Sequence, residues 1–576
     1  MAKTNKGIAK ILYEISDILE IKDVDFKPRA YEKAAMAIEG LDRPLKEIYK
    51  EGGVKALDKI PSIGKSIAQK IEEILKTGKL KYYVQLKKQF PADFIELTSV
   101  EGIGLKTAEK LYEKLKIKNL KDLERAAKAG KIKNLKDLGE KTEKNILEGL
   151  RFLHQGRGRM LLSEALPVAE NIIEQLKKNS GLHQIAFAGS LRRMQETIGD
   201  VDLVATSSQP KKLIDAFVKL PEVDRVLSKG TTRSSVRLKI GVDADLRVVA
   251  PGVFGAALQY FTGDKQHNIK VRKIAIKKGY KLNEYGLFKG KKIVACKTEE
   301  EIYKNLDMDT PPPEIRTDSG EVEAAQKHKL PKLIGYKDIK GDLQIQTNWS
   351  DGNNPIQKMA EEAKKSGLQY IAITDHTKAL AMTGGLDERR LAQQGREIDK
   401  LNKTLHGFKI LKSAEINIMK DGSLDIKNDA LRKLDIVSVA VHSNFKMSRF
   451  DMTKRIIRAI KNPYVNILFH PTGRIIGRRP GYEVDIDEIL RAAKKYGVVL
   501  EVDAYPNRLD IKDEFIKKAV RAGVKLVIDT DAHDKSHLKY LRFGIGQARR
   551  GWARKSDILN TKSVEELLKA LGEIKK

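Results

Sequence analysis

Two aspartates separated by a single residue give the first sign of chemistry. Asp200 and Asp202 flank Val201, and on a β-strand residues i and i+2 point to the same face. Two carboxylates on one rigid strand could hold a pair of hard divalent cations that bridge to phosphate oxygens. The upstream Gly189-Ser190 turn and Arg193 offer backbone N–H, hydroxyl and cationic groups for a triphosphate. A doubled aspartate alone is a common surface feature, but with these neighbours it predicts a phosphoryl-transfer site.

A third carboxylate is needed to bridge two metal ions and to accept a proton from an attacking hydroxyl. Asp243 and Asp245 lie in the alternating segment 242–247, which predicts a strand that places both on one face. Their spacing does not choose between them. Either one would complete an acidic cluster with Asp200 and Asp202.

A second set of candidate ligands follows predicted strands in the C-terminal half. A lone histidine is usually a core residue, but four of the ten histidines in the chain fall at these strand ends. Imidazoles and carboxylates that converge on one face predict a multinuclear metal site. The candidate ligands are His376, Glu415, His442, His470, Asp531 and His533.

The elements that position the N-terminal chemistry are predicted to be helices. Residues 1–150 contain three glycine-marked hairpins, at 60–64, 100–104 and 135–139. Each precedes an amphipathic helix, so its backbone N–H groups lie at a helix N-terminus, where flanking lysines favour a phosphodiester. A glycine C-cap between helices is the alternative, but three copies favour helix-hairpin-helix DNA binding. The candidate DNA contacts here are Gly64, Lys65, Gly102, Gly104 and Lys106.

Beyond residue 150, short predicted strands alternate with helices. A mixed α+β unit extends to the prolines at 311–313, and the polar segment 317–330 predicts a linker. Five further strands separated by helices predict a closed or layered α/β domain. Polar residues follow those strands, where α/β folds place their sites.

Composition sets the class of partner. The chain has 576 residues, with 110 Lys and Arg against 78 Asp and Glu, which gives a formal charge of +32. This excess favours a polyanion, nucleic acid before a membrane surface, although a lysine-rich, thermophile-like surface is the alternative. The single Cys296 excludes a disulfide framework or a thiolate cluster. Because no apolar run reaches the ~20 residues of a bilayer span, we expect a soluble, cytoplasmic protein.

Several motifs together resemble the palm and thumb of family X DNA polymerases. The matching residues are Gly189–Arg193, Asp200-Val201-Asp202, Asp245-Leu246-Arg247, Tyr260-Phe261-Thr262-Gly263, Asn268, Arg272 and Asn283-Glu284-Tyr285. The resemblance, which covers residues 1–315, implies that Asp200 and Asp202 hold two magnesium ions, with manganese as a substitute. It implies that Asp245 is the base for the primer 3′-OH.

The same resemblance implies the nucleotide contacts. Without this resemblance, ordinary core packing would be the preferred interpretation of the aromatic residues Tyr260 and Phe261. The implied residues are Ser190, Arg193 and Gly199 at the triphosphate, Tyr260 and Phe261 at the sugar, Asn268 at the minor-groove edge of the base, Arg272 on the template side, and Gly189 and Gly263 as further nucleotide contacts.

The N-terminal unit resembles the small lyase-type domain of that family. Lys70 falls where some relatives carry a Schiff-base lysine for deoxyribose-phosphate removal. Such chemistry needs a lowered lysine pKa, which the sequence does not show, and the residue after Lys65 is Ser66 rather than a basic residue. We therefore interpret Lys70 as a solvated or 5′-phosphate-binding residue among the DNA contacts.

Residues 336–576 resemble a PHP (polymerase and histidinol phosphatase) domain, a distorted seven-stranded barrel of phosphoesterases. In relatives it supplies 3′–5′ exonuclease and sometimes abasic-site endonuclease activity, with manganese or zinc. The first metal motif of that family is His-x-His, but here it reads Gln344-Ile345-Gln346. Because an amide oxygen is a weak ligand for these ions, we predict reduced metal occupancy and weak or absent nuclease activity.

These features predict a multidomain chain. The predicted units are an all-α helix-hairpin-helix region comprising a lyase-like domain (1–88) and a fingers-type subdomain (89–150), an α+β nucleotidyltransferase palm (151–262) and thumb (263–315), a linker (316–335) and an α/β PHP barrel (336–576).

The predicted function is a distributive, monomeric DNA polymerase that fills short gaps during DNA repair. Its partners would be gapped or primer–template DNA and deoxynucleoside triphosphates. One alternative is a PHP-type phosphoesterase to which the N-terminal half delivers DNA. Another is a non-enzymatic scaffold at DNA ends.

Overall fold

The computed structural model describes residues 4–21, 27–39, 41, 43–60, 62–88, 97, 100, 103, 105–135, 138–156, 159–179, 181–380 and 383–575. In chain order these form a helical region, a five-stranded sheet with helices, a three-stranded unit and a parallel barrel. This layout confirms the predicted combination of α, α+β and α/β architecture. Among the described helices, none combines the length and the apolar character that a bilayer span requires.

The N-terminal helices surround two separate apolar cores. They are α1 (Asn5–Ile21), α2 (Lys27–Glu39), α3 (Leu45–Asp58), α4 (Lys65–Thr77), α5 (Lys81–Lys88), α6 (Leu105–Leu115), α7 (Leu120–Lys128) and α8 (Glu140–Gly156). In α4, Ile67, Ile71 and Ile74 are buried at helical spacing, and Gly78 ends the helix in a left-handed conformation. The amphipathic pattern thus explains how these short helices pack.

A five-stranded sheet carries the doubled aspartate. Its region contains β1 (Met160–Leu161), α9 (Leu162–Lys177), β2 (Leu182–Phe187), α10 (Gly189–Arg192), β3 (Thr197–Ile198), β4 (Asp200–Ser207), α11 (Pro210–Val218), β5 (Val223–Lys229), β6 (Arg233–Leu238) and β7 (Asp243–Val249). The strand order is β2-β4-β7-β6-β5. Val201 and Leu203 of β4 are buried in one apolar core with α9 and α11. The alternation along β4 therefore turns the two aspartates away from that core.

A smaller unit with its own apolar core follows the sheet. It contains α12 (Phe254–Thr262), α13 (Lys265–Lys277), β8 (Lys281–Asn283), β9 (Gly286–Lys289), β10 (Lys292–Ala295), α14 (Glu299–Asn305) and α15 (Glu321–Gln326). Helix α15 lies within 316–335, the predicted linker, and its Val322 and Ala325 are buried in the core shared with α13 and α14. A helix of six residues is too short to show a periodic pattern in the sequence.

The C-terminal unit is a parallel barrel surrounded by helices. Its strands are β11 (Gly341–Ile345), β12 (Tyr370–Ile373), β13 (Lys409–Lys412), β14 (Glu415–Asn417), β15 (Ser438–Ala440), β16 (Ile467–Leu468), β17 (Val499–Asp503) and β18 (Leu526–Asp529). Strands β13 and β14 are consecutive pieces of one position, so the barrel has seven positions. A bridge between Ile345 and Ala532 closes it.

The helices of the barrel follow its strands along the chain. They are α16 (Ile356–Lys365), α17 (Glu388–Asn402), α18 (Asn428–Leu431), α19 (Arg449–Ile460), α20 (Ile486–Tyr496), α21 (Asp513–Ala522), α22 (Leu541–Arg550) and α23 (Val564–Lys575). Strand residues such as Ile371, Ile416 and Val439 are buried with no exposed surface. The strands therefore read as short continuous apolar runs, as expected for a parallel sheet covered by helices.

Candidate active sites

Two parallel strands bring three carboxylates together. Strands β4 and β7 pair with Asp200 opposite Asp243 and Asp202 opposite Asp245. One carboxylate oxygen from each of Asp200, Asp202 and Asp245 lies within 4.8 Å of the other two. Oxygen atoms this close, carried by rigid strands, are the donor set that hard divalent ions bind.

Different partners separate the roles of the two aspartates on β7. Ser235 of β6 donates a hydrogen bond to Asp245 Oδ1, which leaves that carboxylate within the cluster. Asp243 instead pairs with Arg237, whose Nε lies 2.6 Å from Asp243 Oδ1. The structure thus places Asp245 in the acidic cluster and Asp243 in an ion pair beside it.

Burial and mutual repulsion raise the pKa of Asp202 to about 7. Desolvation is the larger cause, and the neighbouring carboxylates of Asp200 and Asp245 add to it. The backbone at Gly189 packs directly against the Asp202 carboxylate. Only glycine fits there, because a Cβ at position 189 would overlap Asp202 Oδ2. A cation bound by the cluster would remove the repulsion, so the site fits a divalent metal.

An open cleft of about 510 Å³ lies beside the acidic cluster. Ser190 Oγ and Arg193 Nε are buried there without hydrogen-bond partners. Buried donors normally have partners, so these two indicate a missing acceptor such as a phosphate oxygen. The cleft is lined by Arg159, Gly189, Ser190, Arg193, Gln195, Asp200, Asp202, Phe261, Gly263, Asp264 and Lys265.

Some of the predicted nucleotide contacts lie away from the cleft lining. Asn268 is buried, accepts from Gln259 at 2.8 Å and donates to the Tyr260 carbonyl at 2.7 Å. Arg272 donates its Nε–H to the Asn268 carbonyl at 3.2 Å. Gly199 faces Arg159, whose guanidinium a Cβ at position 199 would meet at 3.1 Å. The described residues that line the cleft therefore do not include Asn268, Arg272 or Tyr260.

The sequence interpretation missed several residues of the cleft. Arg159 and Lys265 add positive charge, and Gln195 and Asp264 add polar groups. Asp264 caps α13 by accepting from the His267 N–H at 2.8 Å. An Asp followed by Lys at a helix start was the available signal, but capping is the ordinary explanation of such a pair.

The barrel centres its candidate ligands on Glu415. Glu415 Oε1 lies 2.9 Å from His442 Nε2 and 2.7 Å from His470 Nε2, and Oε2 lies 3.3 Å from His376 Nδ1. Ligand atoms of His376, Glu415 and His442 all lie within 4.8 Å of one another. These three residues could hold a metal ion, with His470 adjacent.

A second set of ligands includes one residue that the sequence interpretation missed. Asp351, His376 and His533 also place ligand atoms within 4.8 Å of one another. Asp351 lies in the turn after β11, and its acidic side chain next to Gly352 was the available signal. Asp531 has no place in either set, and its carboxylate lies 3.5 Å from Arg508 Nε.

Two of these residues have backbone conformations in the left-handed region. The φ angles are 27° at His470 and 51° at Asp531. Neither residue is glycine, so each conformation is strained and requires support from its surroundings. Strain of this kind clusters at functional sites, which agrees with the position of both residues at the mouth of the barrel.

Comparisons with known proteins agree with both sites. Family models match residues 3–80 (helix-hairpin-helix domain), 94–151 (SAM-like helix-hairpin-helix tandem), 257–317 (DNA polymerase beta thumb) and 342–504 (PHP domain). The DNA polymerase/3′-5′ exonuclease PolX of Bacillus subtilis (strain 168) is 37% identical over 567 residues, which cover 98% of each chain. The chain belongs to the family X DNA polymerases. Like other members with a PHP domain, it uses divalent metal ions.

Some shorter relatives match only 31% of the chain. A probable phosphatase of Thermoanaerobacter sp. (strain X514) is 36% identical over 188 residues, 31% of this chain and 72% of that protein. A probable phosphatase of Caldanaerobacter subterraneus subsp. tengcongensis is 35% identical over 188 residues, covering 31% of this chain and 69% of that protein.

The two glutamines of this family X polymerase contact carboxylates in the barrel. Gln346 donates its side-chain N–H to Glu415 Oε2 at 2.8 Å. Gln344, in the amide orientation that satisfies both groups, donates to Glu501 Oε1 at 2.5 Å. Both glutamines are fully buried. Gln346 therefore occupies a lone pair of Glu415, a candidate metal ligand, whereas Gln344 is held by a carboxylate outside the candidate ligand sets.

Lys70 of the polymerase lies in a partly buried aromatic setting. Its Nζ donates to Ser66 Oγ at 2.8 Å and lies 5.9 and 5.3 Å from the ring centres of Tyr31 and Tyr82. Burial, and secondarily the charge of Lys27, lower the pKa of Lys70. This shift has the direction that amine chemistry requires, and the sequence did not reveal it.

The predicted hairpin contacts with DNA are described only in part. Gly64 precedes α4, and Gly64 and Lys65 are both exposed at the N-terminus of this helix. Gly102 and Gly104 lie outside the described residues. Lys106 is part of α6, but its side chain also lies outside the description. The structure thus exposes Gly64 and Lys65 of the first hairpin to solvent.

Proposed function

We propose that the protein is a template-directed DNA polymerase that fills short gaps during DNA repair. The observation that carries this proposal is the convergence of Asp200, Asp202 and Asp245 beside a cleft with unpartnered Ser190 and Arg193 donors. Phosphoryl transfer is mostly positioning and charge stabilisation, and these groups supply both. Family membership agrees with this reaction.

The residues of the palm have distinct proposed roles. Asp200 and Asp202 would hold two magnesium ions, which neutralise the charge that develops on the triphosphate. Asp245 would accept the proton of the primer 3′-OH, while its Ser235 hydrogen bond fixes the carboxylate. Ser190 and Arg193 would bind phosphate oxygens, and Arg159 and Lys265 would add charge at the cleft rim.

Gapped DNA is the proposed partner. The formal charge of +32 and the exposed hairpin before α4 favour a phosphate backbone. Lys70, whose Nζ is held beside Ser66 Oγ and the Tyr82 ring, would contact a 5′-phosphate at the far side of a gap. We expect the protein to act as a monomer in the cytoplasm.

Primer extension tests the proposal directly. The full chain is incubated with gapped DNA that carries a labelled primer, with and without deoxynucleoside triphosphates, in magnesium or manganese. The expected products are primers lengthened by the size of the gap. Primers that are only shortened, or that remain unchanged in both metals, would contradict a polymerase and favour the phosphoesterase or scaffold alternatives.

For the barrel we propose a weakened phosphoesterase with fewer bound metal ions than its ligand set suggests. The buried contacts of Gln344 with Glu501 and of Gln346 with Glu415 support this proposal. Residual manganese or zinc would bind through His376, Glu415 and His442 or through Asp351, His376 and His533. Shortening of the primer in the absence of nucleotides should then be weak or absent.

A further inference from the structure

The segment after α10 connects the nucleotide cleft to the barrel. We call residues 193–196 the cradle loop, because Arg193 and Gln195 line the cleft. The Arg193 guanidinium donates to the Thr262 carbonyl, which directs the side chain across the cleft toward α12. Loop position therefore decides where this cation stands relative to a bound triphosphate.

The last residue of the cradle loop is held by an arginine of the barrel. Arg474 Nη1 and Nη2 lie 3.3 and 2.7 Å from the two oxygens of Glu196, a bidentate pair. The Arg474 side chain is only 5% exposed. A bidentate pair with one buried partner is geometrically specific, so it fixes the loop more firmly than a surface ion pair would.

Arg474 is itself fixed within the barrel. It donates to the Leu509 carbonyl at 2.5 Å, and Asp510 accepts from the Thr472 hydroxyl at 2.8 Å in the same turn. His470, a candidate ligand, lies four residues before Arg474 in the chain. The barrel thus presents this guanidinium on a rigid support.

Two more contacts hold the same loop. Met194 has φ of 50°, and its side chain packs so closely against α22 that a Cβ at Gly546 would lie 2.8 Å from Met194 Cε. Arg550 of α22 donates to the Arg193 carbonyl at 3.4 Å. Three residues of the four-residue loop therefore contact the barrel directly.

We propose that Arg474, through Glu196, is a positioning residue for nucleotide binding by the polymerase, so that the barrel completes the triphosphate cradle. This inference rests on the proposed polymerase function. It gives the barrel a role that does not need Gln344 and Gln346 to bind metal. In the part of the chain that the structure describes, the residues that line the cleft do not include Arg474; it acts by fixing the loop that carries Arg193.

The expected kinetic effect appears mainly in KM. When the Glu196–Arg474 pair is lost, the cradle loop can move and Arg193 meets the triphosphate in fewer of its conformations. Nucleotide binding weakens, while the acidic cluster on β4 and β7 stays in place. We expect a KM for the nucleotide raised roughly tenfold, with kcat changed less than about twofold.

A double-mutant cycle tests the inference. The variants are Glu196→Gln, Arg474→Gln and the double variant, and primer extension is measured over a range of nucleotide concentrations. If the pair acts as a unit, each single variant raises KM and the double variant raises it no further. Glu196→Asp, which keeps the charge, should recover part of the wild-type affinity.

A second ion pair between the same two regions is the matched control. Glu170 of α9 pairs with Arg542 of α22 at 2.5 Å, away from the cleft lining. Both partners of the Glu170–Arg542 pair are 39% exposed, so Glu170→Gln should lower thermal stability less than Glu196→Gln and leave KM unchanged. Equal KM shifts in both, additive shifts in the double variant, or a wild-type KM in Arg474→Gln would overturn the inference.

The same assay separates this inference from the proposed function. A wild-type chain that does not extend the primer refutes the polymerase. A wild-type chain that extends it, together with an Arg474→Gln variant of unchanged KM, refutes only the positioning role. Both results come from one set of reactions.

Discussion

The palm and the PHP barrel both gather acidic residues at strand ends, but they differ in what those residues already contact. In the palm, Asp200 is exposed and the cleft holds unpartnered donors. In the barrel, Glu415 is already in hydrogen-bond contact with Gln346, His442 and His470, while Nδ1 of His376, 3.3 Å away, has no hydrogen-bond partner among the described residues. The comparison teaches that a carboxylate already hydrogen-bonded to a neighbouring amide offers a metal ion fewer lone pairs than one that faces an open cleft.

The largest expected effect is loss of the palm cluster. Replacing Asp200 and Asp202 together with alanine should lower nucleotide incorporation by about a thousandfold or more, because two cations lose their ligands. Binding of gapped DNA, measured by fluorescence anisotropy, should largely survive. Asp243→Asn is the control, since Asp243 pairs with Arg237 outside the cluster. A similar loss of incorporation in this control would place the metal ligands elsewhere.

Imidazoles at positions 344 and 346 should increase metal binding and nuclease activity in the barrel. In the double variant Gln344→His and Gln346→His, we expect primer shortening in manganese to increase about tenfold to a hundredfold. Metal analysis should find at least one more ion per chain. The measurement is made in the background that lacks Asp200 and Asp202, so that the palm cannot contribute. Unchanged metal content would show that the glutamines are not what limits occupancy.

His376 should control metal binding by the barrel of the unmodified chain. It belongs to both ligand sets, with Glu415 and His442 and with Asp351 and His533. We expect His376→Ala to weaken manganese or zinc binding about tenfold or more in a calorimetric titration. His328→Ala, an exposed histidine near Asp309, provides the comparison and should bind like the parent. Equal binding in both variants would exclude these sets.

The smallest predicted effect concerns stability without metal. The pKa of Asp202 is raised to about 7 by burial and by Asp200 and Asp245, so between about pH 4 and 7 the folded state holds a proton that the unfolded state has lost. Stability therefore falls as the pH rises through this range. Asp202→Asn stays neutral, so it should melt roughly 5 °C above the wild type at pH 8 in chelator.

The difference should shrink steadily toward pH 4. A constant difference across this range would show that the asparagine stabilises the protein by packing rather than by charge. Differential scanning fluorimetry over a pH series is sufficient for the comparison.

Local patterns predicted the palm cluster well and the barrel less completely. Strand alternation alone placed Asp200 and Asp202 on one face, and the structure adds the register of β4 with β7 that brings Asp245 to them. Spacing could not separate Asp243 from Asp245, because the distinction depends on Arg237 and Ser235 of another strand. Side-chain contacts between two strands cannot be predicted from the sequence of either strand alone.

Contacts between distant segments were beyond the sequence. Glu196 and Arg474 are 278 residues apart, and no local sequence pattern at either residue predicts their ion pair. Asp351 likewise joins His376 and His533 only when the barrel closes. Residues 316–335 were predicted as a linker because their composition is polar. In the structure, however, Arg316 is buried and forms an ion pair with Glu299. Composition does not reveal such pairing.

The apolar core beneath the palm sheet includes Leu509 and Phe543, which the chain contributes from the barrel. The two units are therefore not interchangeable modules. A shortened chain ending near residue 335 would lack these two side chains and expose apolar surface under the sheet. Its poor solubility would easily be mistaken for a catalytic defect. The C-terminal unit thus contributes to the palm from below, whatever chemistry its own site performs.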